Sequence, residues 1–157
     1  MKLVRTTSDN PDFQQLVREL DAVLAELDGD DHEFYAQFNK IAKIRHAVVA
    51  YDGDTPVGCG AVKEFSADAM EVKRMYTLPD RRNKGIAREV LSELEKWATE
   101  LGYTKCVLET GKRQPDAIAL YTKQGYKSIP NYGQYEGMEN SVCFEKDLTP
   151  ALSRRRG

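Results

Sequence analysis

At 157 residues, with 41% apolar and 31% charged side chains, the chain is long enough for one packed domain and too apolar for disorder. A net charge of −2 excludes a general attraction to nucleic acid or acidic membrane surfaces, and no run approaches the about 18 apolar residues of a membrane span. Three cysteines, Cys59, Cys106 and Cys143, form no Cys-x-x-Cys pair and sit in apolar runs, so buried reduced thiols are expected rather than a disulfide framework. The first ten residues lack the apolar stretch of a secretion signal, which makes the cytoplasm the expected compartment.

Lys2 to Thr6 reads as a short strand. Asn10-Pro11 opens a helix, and Phe13, Leu16, Val17, Leu20, Val23, Leu24 and Leu27 give it one apolar face. Asp28-Gly29-Asp30 stops it. A second helical run follows, capped by Asp30 or Asp31, with Phe34, Tyr35, Phe38 and Ile41 on one side.

From His46 the period becomes two. His46–Tyr51 and Pro56–Phe65 are strands joined by the turn Asp52-Gly53-Asp54. Gly58 and Gly60 predict a bulge or a close backbone approach in the second. Met70–Thr77 is the third strand of this antiparallel meander. Pro79 ends it, and a helix is predicted from about Lys84, with Ile86, Val90, Leu94, Trp97, Ala98 and Leu101 facing inward and Gly102 closing it. The strand Lys105–Thr110 should lie parallel to Met70–Thr77. A short helix, Asp116–Gln124, is closed by Gly125. Tyr126–Ile129 is a strand, 130–137 a loop, and Asn140–Leu148 the last strand. The expected fold is α+β: a mixed, mostly antiparallel sheet flanked by about four helices. Residues 1–150 form one domain, and 151–157 form a tail.

The turn between Met70–Thr77 and the long helix carries Arg81, Arg82, Asn83, Lys84, Gly85, Ile86 and Ala87. Helix-initial N–H groups lack intrahelical acceptors and carry the positive end of the helix dipole, so they suit an anion. Small residues at Gly85 and Ala87 would let a phosphate reach the backbone. A glycine-bearing helix start with solvated basic residues remains open. The Gly-x-x-x-x-Gly-Lys-Ser/Thr signature is absent, and Gly58-Cys59-Gly60 opens no helix.

The pattern Arg82-x-x-Gly85-x-Ala87 after a strand resembles motif A of the GCN5-related N-acetyltransferase superfamily. Gln114-x-x-Ala117-x-x-Leu120-Tyr121-x-x-x-Gly125-Tyr126 resembles its motif B, with Gln114 where the family usually has Asn. The likeness runs from about Val48 to Leu148. The segments Ile129–Tyr135 and Ser141–Leu148 look like a branch of small bacterial members.

The resemblance implies transfer of an acetyl group from acetyl-CoA to an amine, with no metal. Met75, Tyr76, Thr77, Arg82, Asn83, Lys84, Gly85, Ile86, Ala87 and Gln114 would then hold the cofactor. The main chain of Met75 and Thr77 would meet the acetyl-pantetheine arm. Glu71 is the expected general base, against an ion pair with Lys73 or an arginine. Tyr121 is the expected acid for the leaving thiolate, against a packing role. The acceptor site is expected from Tyr35, Arg74, Tyr132 and Tyr135, with a structural ion pair as the alternative for Arg74 and core packing the reading for Phe38. Strict alternation along the strand puts Glu71, Lys73, Met75 and Thr77 on one face and Val72, Arg74 and Tyr76 on the other. His32 and His46 show no metal-ligand spacing. A small-molecule amine is the expected acceptor. A protein or peptide acceptor and a non-catalytic acyl-CoA sensor are the alternatives. Family members are often dimers, so a homodimer is possible; neither nucleic acid nor membrane is an expected partner.

Overall fold

The computed structural model describes residues 1–36 and 43–149. The expected positions of Phe38 and Ile41 and the tail 151–157 lie outside them. The strands are β1 (Lys2–Thr6), β2 (His46–Asp52), β3 (Thr55–Glu64), β4 (Ala69–Thr77), β5 (Lys105–Gly111), β6 (Lys127–Ile129) and β7 (Ser141–Asp147). The α-helices are α1 (Pro11–Asp28), α2 (His32–Ala36), α3 (Ile86–Glu100) and α4 (Pro115–Lys123). Hydrogen-bonded neighbours follow the order β1-β2-β3-β4-β5-β7-β6. The β4–β5 ladder is parallel, as expected for strands joined by a helix, while β1–β2, β2–β3, β5–β7 and β6–β7 are antiparallel.

The chain forms two compact units, one of Met1–Lys63 and Lys73–Leu94, the other of Glu64–Val72 and Glu95–Gly157. The first is built on the face of α1. Asn10 caps that helix, its side chain accepting from the amides of Asp12 and Phe13 at 2.8 and 3.0 Å. Phe13, Leu16, Val17 and Leu20 then form one cluster with Ala47, Val49, Cys59, Ala61 and Tyr76. Gly29, at φ 53°, ends the helix, and a 3-10 turn over Gly29–Asp31 leads directly into α2. Gly58 and Gly60 mark a close approach. A Cβ on Gly58 would lie 2.7 Å from Ile86 Cγ2 and 3.2 Å from the Tyr76 carbonyl, and one on Gly60 would meet Met75, Leu94 and Val90. The β2–β3 register shifts where Ala50 and Tyr51 pair with Gly58 and Pro56, which leaves Val57 of β3 as the extra residue, so the expected bulge lies beside Gly58.

Two expectations are corrected here. Helix α3 starts at Ile86, not Lys84, because Asn83 and Gly85 stand at φ 64° and 80°, outside right-handed helical space. Its buried residues are Ile86, Val90, Leu91, Leu94 and Ala98, whereas Leu101 is 44% exposed because the helix has already ended.

The second unit holds β5, α4, β6 and β7 and the first residues of β4. Gly102, at φ 97°, closes α3 as predicted: Gly102 N–H bonds the Thr99 carbonyl and Tyr103 N–H the Ala98 carbonyl, both at 3.0 Å. Gly125 repeats the device after α4. Glu95 accepts from Tyr126 Oη and Lys146 Nζ, each at 2.8 Å, which satisfies a mostly buried carboxylate on two sides. All three cysteines are buried free thiols.

Candidate active site

In the first unit, β4 runs into a 3-10 turn over Pro79–Arg81 and then the segment Arg82–Gly85. Arg82 is extended, and Asn83 and Gly85 are left-handed. Left-handed residues interposed in such a turn draw successive N–H groups toward one side, the geometry that cradles anions. The Gly85 carbonyl accepts from Glu89 N–H at 3.1 Å, so the N–H groups of Ile86, Ala87 and Arg88 open the helix without intrahelical acceptors. A Cβ at Gly85 would stand 2.9 Å from Arg88 Nη2. Glycine therefore serves both the positive φ and the passage of the Arg88 guanidinium over the turn.

The basic residues divide. Arg81 pairs with Asp52 and holds that carboxyl below its usual range, so its charge is already engaged. Arg82 folds back on the strand, with Nε donating to the Thr77 carbonyl at 3.2 Å and Cζ 5.9 Å from the Tyr76 ring centre. Lys84 is exposed. Arg88 was absent from the sequence reading; the clue was its position three residues after Gly85 on a helix.

Along β4, Arg74 has φ 61°. A left-handed residue inside a strand marks a bulge, where strict alternation fails. Counting faces from Glu71 to Met75 across it is therefore invalid. Beyond it the alternation holds. Arg74 pairs with Asp21 of α1 and Tyr76 joins the α1 cluster, while Met75 and Thr77 adjoin Gly60 and Gly58. β4 pairs with β5 through Ala69–Glu71 against Lys105–Val107, and the strand runs on to Thr77.

In the second unit, Glu71 is 4% exposed and its Oε2 accepts from Tyr132 Oη at 2.6 Å. Tyr132 is clamped by ring contacts with Phe65, centroids 4.8 Å apart, and Tyr135, 5.8 Å apart. Asn131 organises this loop, its Nδ2 lying 3.1–3.2 Å from the carbonyls of Tyr135, Met138 and Ser141. Burial, then the Glu71 charge, pushes the Tyr132 phenol far above its ordinary range. Tyr135 is raised likewise by burial and by Glu109 and Glu71. Tyr121 is buried against Tyr126 and Phe144, and burial followed by Glu109 raises it too. Tyr121 is thus a protonated donor throughout the neutral range. Glu109 on β5, whose charge reaches both Tyr121 and Tyr135, is a second carboxylate that sequence reasoning passed over.

Gln114 precedes α4 with no side-chain cap. Its Nε2 lies 3.5 Å from where a Gly111 Cβ would be, so the carboxamide covers that glycine. Tyr35 belongs to the first unit, 6% exposed and packed edge-on against Phe34. Among the described residues no group of three or more His, Cys, Asp or Glu side chains is placed to hold a metal ion.

Comparison with known proteins identifies the family and the fold. Residues 12–126 match the Acetyltransferase (GNAT) family. The chain is 36% identical over 137 residues to the IAA acetyltransferase of Azospirillum brasilense, covering 85% of this chain and 89% of that protein. It is 31% identical over 135 residues to the uncharacterized N-acetyltransferase YjgM of Escherichia coli, covering 79% and 80%. Among solved structures, a Klebsiella pneumoniae protein assigned as an acyl-CoA N-acyltransferase superposes with a TM-score of 0.79 at 28% identity, covering 94% and 97% of the two chains. An aminoglycoside 6'-N-acetyltransferase complexed with coenzyme A shares the fold, with a TM-score of 0.67 at 22% identity over 96% and 98%. This chain belongs to the GNAT family of acetyltransferases.

Proposed function

We propose that this protein moves the acetyl group of acetyl-CoA to the primary amine of a small molecule by direct attack, in the cytoplasm. The observation that carries the reading is the buried Glu71 carboxylate with the Tyr132 hydroxyl on one of its oxygens. An alkyl ammonium has a pKa near 10 and cannot attack until it loses a proton. Glu71 takes that proton, directly or through water. The amine nitrogen bonds to the thioester carbonyl carbon, and the carbon–sulfur bond then breaks. The nitrogen gives up its second proton as that bond breaks, and this replaces the proton that the Tyr121 hydroxyl donates to the leaving thiolate.

The Arg82–Ala87 turn fits the cofactor's pyrophosphate. It offers helix-initial N–H groups, a glycine at positive φ and the guanidinium of Arg88. Asn83, Lys84 and Ile86 belong to that turn, and Gln114 is assigned to the cofactor by its place at the start of the motif-B helix. The backbone of Met75, Tyr76 and Thr77 is assigned to the acetyl-pantetheine arm. What supports this is the likeness of β4 and the turn after it to the family's motif A, within the residues that match the GNAT family. A main-chain N–H there would face the developing oxyanion. The ring cluster of Phe65, Tyr132 and Tyr135 beside Glu71 favours a compact acceptor over an extended peptide.

The test is thiol release from acetyl-CoA across amino acids, polyamines, aminoglycosides and lysine peptides. Turnover with a small amine is expected. Glu71→Gln should lower kcat by about 10²–10⁴-fold while leaving acetyl-CoA affinity within about twofold. Turnover confined to peptides, or acetyl-CoA binding without any turnover, would overturn the small-amine reading. Equal pH–rate profiles for wild type and Glu71→Gln would remove Glu71 as the base.

A further inference from the structure

Among the described residues three large apolar side chains are exposed: Met1, Phe65 and Leu101. Phe65 is 44% exposed and lies between β3 and β4, within the second unit. The turn that carries it is fixed. The N–H groups of Phe65 and Ser66 both reach the Ala69 carbonyl, at 2.9 and 3.1 Å, and Ser66 Oγ donates to Asp68 Oδ1 at 2.8 Å. The Asp68 carbonyl accepts from the N–H groups of Thr104 and Lys105, and Glu64, next to Phe65, accepts from Tyr103 Oη at 2.6 Å.

A single exposed apolar side chain needs no explanation. Phe65 has company: its ring meets that of Tyr132, centroids 4.8 Å apart, and the Tyr132 hydroxyl lies 2.6 Å from Glu71 Oε2. One tyrosine side chain therefore separates an exposed phenyl ring from the buried carboxylate, and all three residues belong to one unit. Tyr135 packs on the same Tyr132 ring, centroids 5.8 Å apart. An amine laid along Tyr132, with its nitrogen at Glu71, brings the group it carries a few carbons away onto Phe65. An apolar group buries surface there, and an aromatic one gains ring–ring contact as well. The charges of Glu71 and Glu109 both act on Tyr135, so a carboxylate on the acceptor would enter a field of its own sign.

We propose that Phe65 is the platform for the acceptor's apolar end, so that the amine acetylated by this protein is an arylalkylamine without a carboxylate. This rests on the transfer reading given above. Phe65 selects the amine and takes no part in proton transfer.

The experiment measures thiol release with phenethylamine, 2-methoxyethylamine and L-phenylalanine. The ether and the amino acid both carry a less basic amine than phenethylamine. A preference for phenethylamine therefore cannot come from easier deprotonation. Wild type should favour it in kcat/KM by at least about 30-fold over the ether and about tenfold over the amino acid. Phe65→Ala should bring the first ratio within about threefold, and Phe65→Leu, apolar but not aromatic, should fall between. A ring that only steadied Tyr132 would, when truncated, slow both amines alike and leave the ratio intact, and that result would overturn the proposal. So would a wild type that used the ether or the amino acid as well as phenethylamine. Absence of turnover with every amine would sink the transfer reading. Calorimetric titration of phenethylamine and the ether into the CoA-loaded protein then decides the platform by itself. Tighter binding of phenethylamine that is lost in Phe65→Ala supports it; equal binding, no binding or a preference that survives Phe65→Ala rejects it.

Discussion

The hydroxyl of Tyr132 holds one oxygen of Glu71, which fixes the rotamer of the carboxylate proposed above as the base. A hydrogen bond to a charged group contributes about 1.5–3 kcal/mol. Tyr132→Phe should therefore lower kcat for thiol release by about tenfold or more without weakening acetyl-CoA. Tyr121→Phe should lower kcat through the other half of the proton traffic; its effect should be largest with the least acidic leaving thiols. An acetyl-CoA Kd that rose in step with the loss of kcat would assign Tyr132 to the cofactor instead. Glu71 was legible in the chain through its place on a motif-bearing strand. Its partner was not, because the two are 61 residues apart and no local pattern couples them. Asn131 was invisible for a related reason, since its three carbonyl contacts exist only once the loop has closed. Arg74 misled the face count because an arginine gives no local sign of a positive φ, whereas glycine or asparagine would have.

At the scale of elements, the helix periods and most strand limits followed from spacing, turn residues and caps. What spacing could not fix was the start of α3. The apolar rhythm begins at Ile86 whether or not the preceding turn is helical, and only the left-handed Asn83 and Gly85 exclude it. Packing reinforces that start. Ile86 Cγ2 occupies the space a Gly58 side chain would need, with the Tyr76 carbonyl behind it. The sequence pointed to a close approach at Gly58 but not to what approached. Gly58→Ala must push Ile86, the first residue of α3, or shift the backbone of β4. Overpacking of this kind costs about 1–3 kcal/mol. The variant should lose that much in urea denaturation and bind acetyl-CoA several-fold more weakly, because the N–H groups of the turn move with Ile86. Gly53→Ala is the control: Gly53, unlike Gly58, has a positive φ, and nothing lies within 4 Å of its added Cβ. It should lose some stability through backbone strain and keep its acetyl-CoA affinity. If Gly58→Ala kept normal affinity, the turn would not be the phosphate site.

Across the whole molecule the buried acids set the alkaline limit of stability. Cys59 in the first unit and Cys106 in the second are both pushed up to about 12 from an ordinary 9.0, in each case chiefly by burial. Glu95 adds to the rise at Cys106, while Arg74 opposes that at Cys59. A raised thiol pKa means that the folded state keeps a proton the unfolded state gives up. The resulting stability is complete below pH 9.0 and is lost progressively as pH climbs toward about 12. Each thiol contributes a slope of up to about 1.4 kcal/mol per pH unit across that window, so the pair approaches about 2.7. Tyr121, Tyr126, Tyr132 and Tyr135, all raised by burial, steepen the fall above about pH 10, where tyrosines in an unfolded chain begin to ionise. Against a typical total of about 5–15 kcal/mol, this is enough to unfold the protein within a few pH units of 9. The urea midpoint should stay flat from pH 7 to about 8.5 and then drop steeply. Cys59→Ala and Cys106→Ala should each lower the starting stability by leaving a small cavity, yet each should flatten the decline between pH 9 and 10. Equal slopes for wild type and the double variant would show that the thiols do not titrate with unfolding, and would move the alkaline limit entirely onto the tyrosines.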